Sequence, residues 1–454
     1  MRVSTGLGAA CAVLAIAACG GSHDAAKGAP ADSAATAAKA TPKGCDADNG
    51  GLTLPNGFCA SVFADHLGHP RHLAVAPNGV VYVNTWSGRY YGDDTTPAGG
   101  FLVALRDTTG DGHADVIERF GDSVQAHGHG GTGIALHGPW LFAEESDRIE
   151  RYTMPSTGIV PAGKPDVVVS GMPLGGNHPM HAFAVDSSGA IFVEMGSATN
   201  ACQLKDRTLH SPGHQPCTEL ATRAGIWRFD GTKTGQHFSP SARFATGIRN
   251  AVGVAFSPNG ALFTTQHGRD QLSGNWPEHY TNAQSAELPA EELMHIERGA
   301  DFGWPFCYYD GSQKKLVLAP EYGGDGTKVG VCDKKRPPVA YFPGHWAPDG
   351  LTFYSGASFP AHYRGGAFIA FHGSWNRAPL PQGGYLVAFV PFQGDTASGP
   401  YEVFADGFAG ANKQPGAAAH RPAGVAVGPD GALYVADDAH GRVWRVSYHG
   451  AGGP

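Results

Sequence analysis

The sequence predicts an all-β fold, a six-bladed β-propeller built of four-stranded antiparallel blades, and three observations carry that prediction. The chain is rich in turn formers, with 66 Gly and 33 Pro among 454 residues. One strand–turn–strand phrase recurs six times. A lone strand is left over at each end of the repeated region.

The phrase opens as His72-Leu-Ala-Val-Ala-Pro-Asn-Gly-Val-Val-Tyr-Val-Asn84, two alternating runs around a tight turn. It returns at 133–144 around His137-Gly138, at 181–194 around Ser188-Gly189, at 252–265 around Asn259-Gly260 and at 424–436 around Asp430-Gly431. A fifth, degenerate copy runs from Gly350-Leu-Thr-Phe-Tyr354 to Ala367-Phe-Ile-Ala-Phe371 with a longer connection. Asn-Gly and Asp-Gly suit the positive-φ positions of hairpin turns. The spare strands are 58–63 and 442–448; pairing them in the last blade closes the ring. A pair of β-sandwich domains is the alternative, and the regular repeat argues against it.

Ahead of the repeats, Arg2, an apolar stretch from Leu7 to Ala18 and small residues before Cys19 read as a secretory signal. The stretch is shorter than the roughly 20 residues a membrane span needs. Ile16-Ala-Ala-Cys-Gly20 resembles a bacterial lipobox, in which Cys19 is acylated after cleavage; an ordinary signal peptide is the other reading. Residues 20–43 hold no large apolar side chain and cannot offset the entropy of ordering. The expected organisation is a lipoprotein signal at 1–18, a tether at 19–44 and the propeller at 45–450. The expected location is the cell envelope, periplasm-facing, with membrane contact through the lipid alone.

A formal charge of −8 with no basic patch argues against a nucleic-acid partner. Cys45, Cys59, Cys202, Cys217, Cys307 and Cys332 remain in the exported part, an even number in an oxidising compartment. Nearest-neighbour pairing is the simplest connectivity, since each pair closes a local loop. No Cys-x-x-Cys supports a zinc site instead.

In a propeller the loops at one rim converge on the central channel, so residues flanking the innermost strands can meet. Arg71-His72, Arg249-Asn250 and His420-Arg421 open three blades, Asn177-His178 precedes a fourth, and His267-Gly-Arg-Asp270 and His372-Gly-Ser-Trp-Asn-Arg377 follow two others. Three arginines at equivalent positions favour an anionic ligand, because guanidinium forks match carboxylates. Each arginine read singly is as well explained by a blade-to-blade ion pair.

Asp107, Thr109, Asp111, Asp115 and Glu118 fall at positions one, three, five, nine and twelve of an EF-hand-like loop, with Gly112 at six. Flanking strand patterns make it a candidate structural calcium loop in a hairpin, or an Asp/Gly turn that binds nothing. His127-Gly-His129 lacks an obvious third ligand and fits a Gly-rich run entering the second blade. Glu144-Glu145 and Glu291-Glu292 are poor glycosidase pairs, since neighbours on a strand face opposite ways. Serine-nucleophile, phosphate-loop and dinucleotide motifs do not occur.

Gly176-Asn-His178, Gly247-Ile-Arg-Asn-Ala-Val-Gly253, His267-Gly-Arg-Asp270, Asp301-Phe-Gly-Trp-Pro305, His372-Gly-Ser-Trp-Asn-Arg377 and Arg421-Pro422 together resemble the soluble quinoprotein glucose dehydrogenases and the sorbosone (aldose sugar) dehydrogenases. These are six-bladed propellers carrying pyrroloquinoline quinone, and the resemblance runs from about Leu54 to Tyr448. It implies oxidation of a sugar at C1, with His178 as base and Arg249 polarising the reacting quinone carbonyl. It implies Asn250 on the same cofactor edge, the cofactor's three carboxylates met by Arg71 and Arg421, and a calcium ion held by the backbone carbonyls of Gly268 and Arg269. The electron acceptor is left unidentified. Two positions depart from the glucose branch. Asn177 stands where that branch has Asp, and its cofactor-binding lysine is missing, with Asn376 and Arg377 nearest and Arg377 the expected substitute. A metal-dependent lactonase or a non-catalytic binding propeller are the competing functions; the first needs acidic side chains reaching the channel from several blades.

Overall fold

The alternating runs form the inner hairpins of six antiparallel sheets that follow one another along the chain. The computed structural model describes residues 43–86, 98–123 and 130–450; Cys19, the signal segment, most of the tether, His127 and His129 lie outside them. The innermost strands are Pro70–Val75, Ile134–His137, Phe183–Val185, Val254–Phe256, Pro348–Phe353 and Pro422–Val427. Each meets the innermost strands of both neighbours, the sixth returning to the first. Gly424 shows how tightly: a Cβ there would lie 2.2 Å from the Arg71 carbonyl oxygen.

The ring closes between the chain's ends. Phe58–Ala64 pairs antiparallel with Val443–Tyr448, Phe58 opposite Tyr448 and Cys59 opposite Ser447. Among the described residues only the second blade gains a fifth strand, Gln236–His237, lent in parallel by the connection between the third blade's Gly225–Asp230 and its outermost strand Arg243–Thr246.

Period-two alternation supplies the packing. In Ala367–Phe371 of the fifth blade, Phe368 packs in the apolar cluster shared with the sixth blade, while Ile369 packs in the one shared with the fourth. Six clusters fill the six seams between blades. Each blade therefore packs apolar side chains on both of its faces.

A polar device runs through four seams. The penultimate residues of the second strands are Asn84, Glu144, Glu194, Thr265, Ala370 and Ala436. Asn84 Nδ2 donates to the Gly133 carbonyl at 2.8 Å, Glu144 Oε1 accepts from His181 N at 2.8 Å, Glu194 Oε1 accepts from Ala251 N at 3.1 Å, and Thr265 Oγ1 donates to the Pro348 carbonyl at 2.7 Å. Each reaches the backbone of the following blade, so Glu144 is a structural acceptor. Stripping one away leaves a buried backbone group without its partner, at about 1–3 kcal/mol.

The disulfides are Cys45–Cys59, Cys202–Cys217 and Cys307–Cys332, the nearest-neighbour pairing. The 107–118 loop does not gather its side chains as a calcium loop does. Glu118 lies inside the strand Val116–Phe120, opposite Ala104, and not at a loop end. Asp107 accepts from the backbone N–H groups of Thr109, Gly110 and Gly112, Asp111 from His113 N, and Asp115 from Thr108. Among the described residues, no convergent set of three His, Cys, Asp or Glu side chains includes this loop. It clasps the ring-closing strand instead, with Ser61 Oγ donating to the Gly112 carbonyl at 2.6 Å and His113 Nδ1 lying 2.9 Å from the Val62 carbonyl. No helix among the described residues is long and apolar enough to cross a membrane.

Candidate active site

The innermost strands leave a cavity of about 280 Å³ at one mouth of the channel, where loops from several blades meet. Its walls include Arg71, His178, Arg249, Asn250, His267, Gly268, Asn376 and Arg421, residues separated by up to 350 positions in sequence. Arg269 and Arg377 are not part of that wall.

His178 lies in the turn before the third blade's innermost strand, against the backbone that leaves the second. Gly196 allows this approach: a Cβ there would fall 2.5 Å from His178 Cβ. His178 Nδ1 is 2.9 Å from the Ser197 carbonyl oxygen and 3.0 Å from Ser197 Oγ, whose own proton goes to the Thr199 carbonyl. Nδ1 therefore carries the hydrogen, and Nε2 keeps a lone pair. Burial, then the positive charges of Arg249 and His267, push the ring's pKa well below its ordinary value. It stays neutral at neutral pH. Asn177 plays no part in this, since its Nδ2 donates to Asp206 at 3.0 Å.

Ser197 also joins His178 to Arg249, because its N–H donates to the Arg249 carbonyl at 2.7 Å. The Arg249 guanidinium donates to the Asn200 carbonyl at 3.1 Å, Asn200 Oδ1 at 3.0 Å, the Gly268 carbonyl at 3.0 Å and Asp270 Oδ2 at 3.1 Å. Asp270 further accepts from Arg207 at 2.9 Å and Asn376 Nδ2 at 2.8 Å. Burial alone would raise its pKa, but Arg249 and Arg207 hold it far below the carboxylate range. Asn250 is 3 % exposed and its Oδ1 has no hydrogen-bond partner. Asn376 Oδ1, on the same wall, is likewise unsatisfied.

A second charge network lies across the channel. Arg71 pairs with Asp438 of the sixth blade and with Asp349 of the fifth at 3.1 Å. Asp349 is also 3.0 Å from His267 Nε2, and His372 Nε2 is 2.7 Å from Asp438. Burial opposes ionisation of Asp349, but Arg71 leads the positive groups that keep its pKa far below normal. Burial also works against His267, whose pKa is nonetheless raised by its bond to Asp349. Asp349, His372 and Asp438 converge closely enough to bind a cation, and Arg71 already supplies one there.

The mouth is thus less cationic than its arginines suggest. Acidic groups do reach the channel, contrary to the expectation from the blade openings: Asp270 and Glu291 from the fourth blade, Asp349 and Asp438 from the fifth and sixth. Arg71 is neutralised across blades by Asp349 and Asp438, and Arg249 by Asp270 of its own blade. Arg421 is different. Its guanidinium donates to the His372 carbonyl at 3.1 Å and the Gly373 carbonyl at 2.8 Å, and lies over Tyr385, with no carboxylate partner among the described residues. Arg377 points away from the cavity, pairing with Glu287 and donating to the Gly344 and Pro381 carbonyls. The Arg269 side chain likewise turns outward to buried Glu321 at 2.5 Å. The Gly268 carbonyl, which the resemblance assigns to calcium, accepts from Arg249 here.

Comparison with known proteins gives the same architecture. A family model described as TrAA12-like matches residues 52–449. An uncharacterized protein of Borreliella burgdorferi is 31% identical over 207 residues, 45% of this chain and 48% of that protein. A pyrroloquinoline quinone-dependent pyranose dehydrogenase of Coprinopsis cinerea is 27% identical over 240 residues, 44% of this chain and 30% of that protein. The matches thus span less than half the length of either relative. The calcium structure of the Trichoderma reesei carbohydrate-active enzyme of family AA12 superposes with a TM-score of 0.69 at 18% identity, covering 90% of this chain and 100% of that one. The holo form of the Coprinopsis cinerea pyranose dehydrogenase PQQ domain gives 0.66 at 19% identity, covering 87% and 97%. With the family model running from one closing strand to the other, this chain belongs to the TrAA12-like family.

Proposed function

We propose that the chain is a sugar dehydrogenase that binds pyrroloquinoline quinone, with calcium, in the channel-mouth cavity and oxidises an aldose at C1. One observation carries the reading: a buried, neutral histidine on the cavity wall offers Nε2 as a base, its Nδ1 hydrogen fixed by Ser197 and a guanidinium beside it. An imidazole in that state suits general-base catalysis at neutral pH.

The residues fit the cofactor. Asn250 Oδ1 is a buried acceptor in need of a donor, and Arg421 is a cation available to a ligand carboxylate. Arg421 would hold a carboxylate, and Asn250 and Arg249 the reacting edge; the resemblance gives the calcium ion to the Gly268 and Arg269 carbonyls, the first of which also accepts from Arg249. Bound there, the quinone supplies an acceptor for the hydride leaving the sugar's C1. His178 Nε2 takes the proton of the C1 hydroxyl in the same event. Four hydrogen bonds occupy all but one of the five N–H donors that Arg249 carries, so one remains to meet negative charge as it develops. Ser197 accepts throughout from Nδ1, which keeps Nε2 free to gain the proton.

The test is to add pyrroloquinoline quinone and calcium to the apo protein and follow reduction of an artificial acceptor by a panel of aldoses. Tight cofactor binding with aldose-dependent reduction is expected; no binding would overturn the reading. The chain is also read as exported and anchored through acylated Cys19. Labelled fatty acid should enter the mature protein and be lost in Cys19→Ser, and an unlabelled wild type would remove the anchor.

A further inference from the structure

Trp375 is the one large aromatic among the described residues that is exposed, at 57 %, and it belongs to the cavity wall. Because it stands on the wall of the cavity and not on the open surface, the indole offers apolar area that a ligand entering there can cover.

The backbone beneath it is fixed from both sides. On one side Ser374 is fully buried: its N–H donates to the Gly383 carbonyl at 2.9 Å, its Oγ to Gln382 at 2.6 Å, and its carbonyl accepts from Tyr385 OH at 2.7 Å. On the other, Asn376 donates to Asp270, and Arg377 is tied to Glu287 and to the Gly344 and Pro381 carbonyls. Among the described residues the indole makes no ring contact and no hydrogen bond of its own. An aromatic on a loop tied down on both sides is a preorganised platform, which loses little entropy when it is covered.

Space decides what covers it. At about 280 Å³ the cavity is just below the range of ligand sites, which run from about 300 to 1,000 Å³. A flat, cofactor-sized molecule fills it, and a second molecule must lie at the rim. The rim offers Trp375, exposed Asn177 and half-buried Arg207. An aromatic face beside amide and guanidinium donors is the surface for a ring with one apolar face and a hydroxyl edge.

We propose that Trp375 is the platform on which a pyranose ring lies, C1 turned inward to His178 and the far end open to solvent. The substrate class is then the reducing-end unit of a cyclic aldose, with further sugar units free to extend outward. This rests on the dehydrogenase reading above.

The experiment uses the holoenzyme and glucose, cellobiose and the unreactive methyl β-D-glucopyranoside. Trp375→Ala should raise KM for both reducing sugars about tenfold or more, and Trp375→Phe should recover most of that loss. Affinity for the cofactor, titrated into apo protein, should stay within about twofold, since the residue acts on the second ligand. The methyl glycoside should saturably change protein fluorescence in wild type and not in Trp375→Phe. A wild type that binds cofactor and oxidises sugar, paired with a Trp375→Ala variant of unchanged KM, would overturn this proposal alone. A wild type that binds no cofactor would overturn the dehydrogenase reading and this one with it.

Discussion

His178 and Ser197 meet twice, Nδ1 lying 2.9 Å from the serine carbonyl and 3.0 Å from its hydroxyl oxygen. Both groups accept, so the hydrogen is held on Nδ1 and the basic nitrogen is the other one. Replacing the base should remove proton transfer while leaving the cavity's charges in place. His178→Gln is expected to lower kcat about 100- to 10,000-fold with cofactor affinity retained. Stopped-flow sugar oxidation together with a cofactor titration checks both halves; a variant that keeps wild-type turnover would exclude His178 as the base.

The same pair sets a pH dependence. Burial, Arg249 and His267 lower the His178 pKa, so the neutral form persists well into acid and kcat/KM should stay flat below pH 6.5. Ser197→Asp puts a negative charge against the ring and raises that pKa. Its acid limb should move toward higher pH, because more base is lost to protonation at any given acidity. Ser197→Ala keeps the carbonyl acceptor and should cost about tenfold or less in kcat. A pH–rate profile of Ser197→Asp that overlays the wild type would exclude this role for position 197.

Much of this was legible in the sequence, and the part that was not has a physical reason. Period-two runs and Gly-containing turns pointed to all six inner hairpins, which depend on neighbours in the chain, and the strand left over at each end pointed to the closing pair. His178, Arg249, Asn250 and Arg421 flank those hairpins and reached the cavity as expected. Arg377 did not, because Glu287 and the Gly344 and Pro381 carbonyls hold its guanidinium behind the loop, while Asn376 faces the cavity. The counter-charges were missed as well. Asp438 is the first residue beyond its blade's second strand, as His267 and His372 are in theirs, so the repeat already contained it. Ser197 had no such signal. Its role comes from a backbone carbonyl and a hydroxyl that only the folded turn brings to His178.

Glu194 gives a prediction on stability. Burial, the leading effect, raises its pKa to about 8, so the folded protein holds it protonated at neutral pH while the unfolded chain does not. A carboxyl raised on folding stabilises fully below its unfolded pKa of about 4.3 and loses that contribution as pH rises toward about 8. Glu194→Gln carries no such dependence. Its melting temperature, relative to wild type, should therefore become steadily more favourable from pH 5 to about pH 8 and level off above that. Calorimetric scans showing a constant difference across that range would place the Glu194 carboxyl outside the linkage.

Arg421 and Arg377 separate cofactor binding from sugar binding. Arg421 meets carbonyls only and retains its charge for a ligand, so Arg421→Met should weaken pyrroloquinoline quinone binding about 10- to 100-fold. Arg377 spends its guanidinium on Glu287 and two carbonyls, behind the loop that presents Trp375. Arg377→Met should therefore leave cofactor affinity near wild type and raise the sugar KM, by loosening that loop. Parallel titrations of the two apo variants, followed by steady-state kinetics at saturating cofactor, measure both effects. If Arg377→Met instead weakened the cofactor as much as Arg421→Met does, the ion pair with Glu287 would have to open on binding, and Arg377 would return as the cofactor ligand in place of the missing lysine.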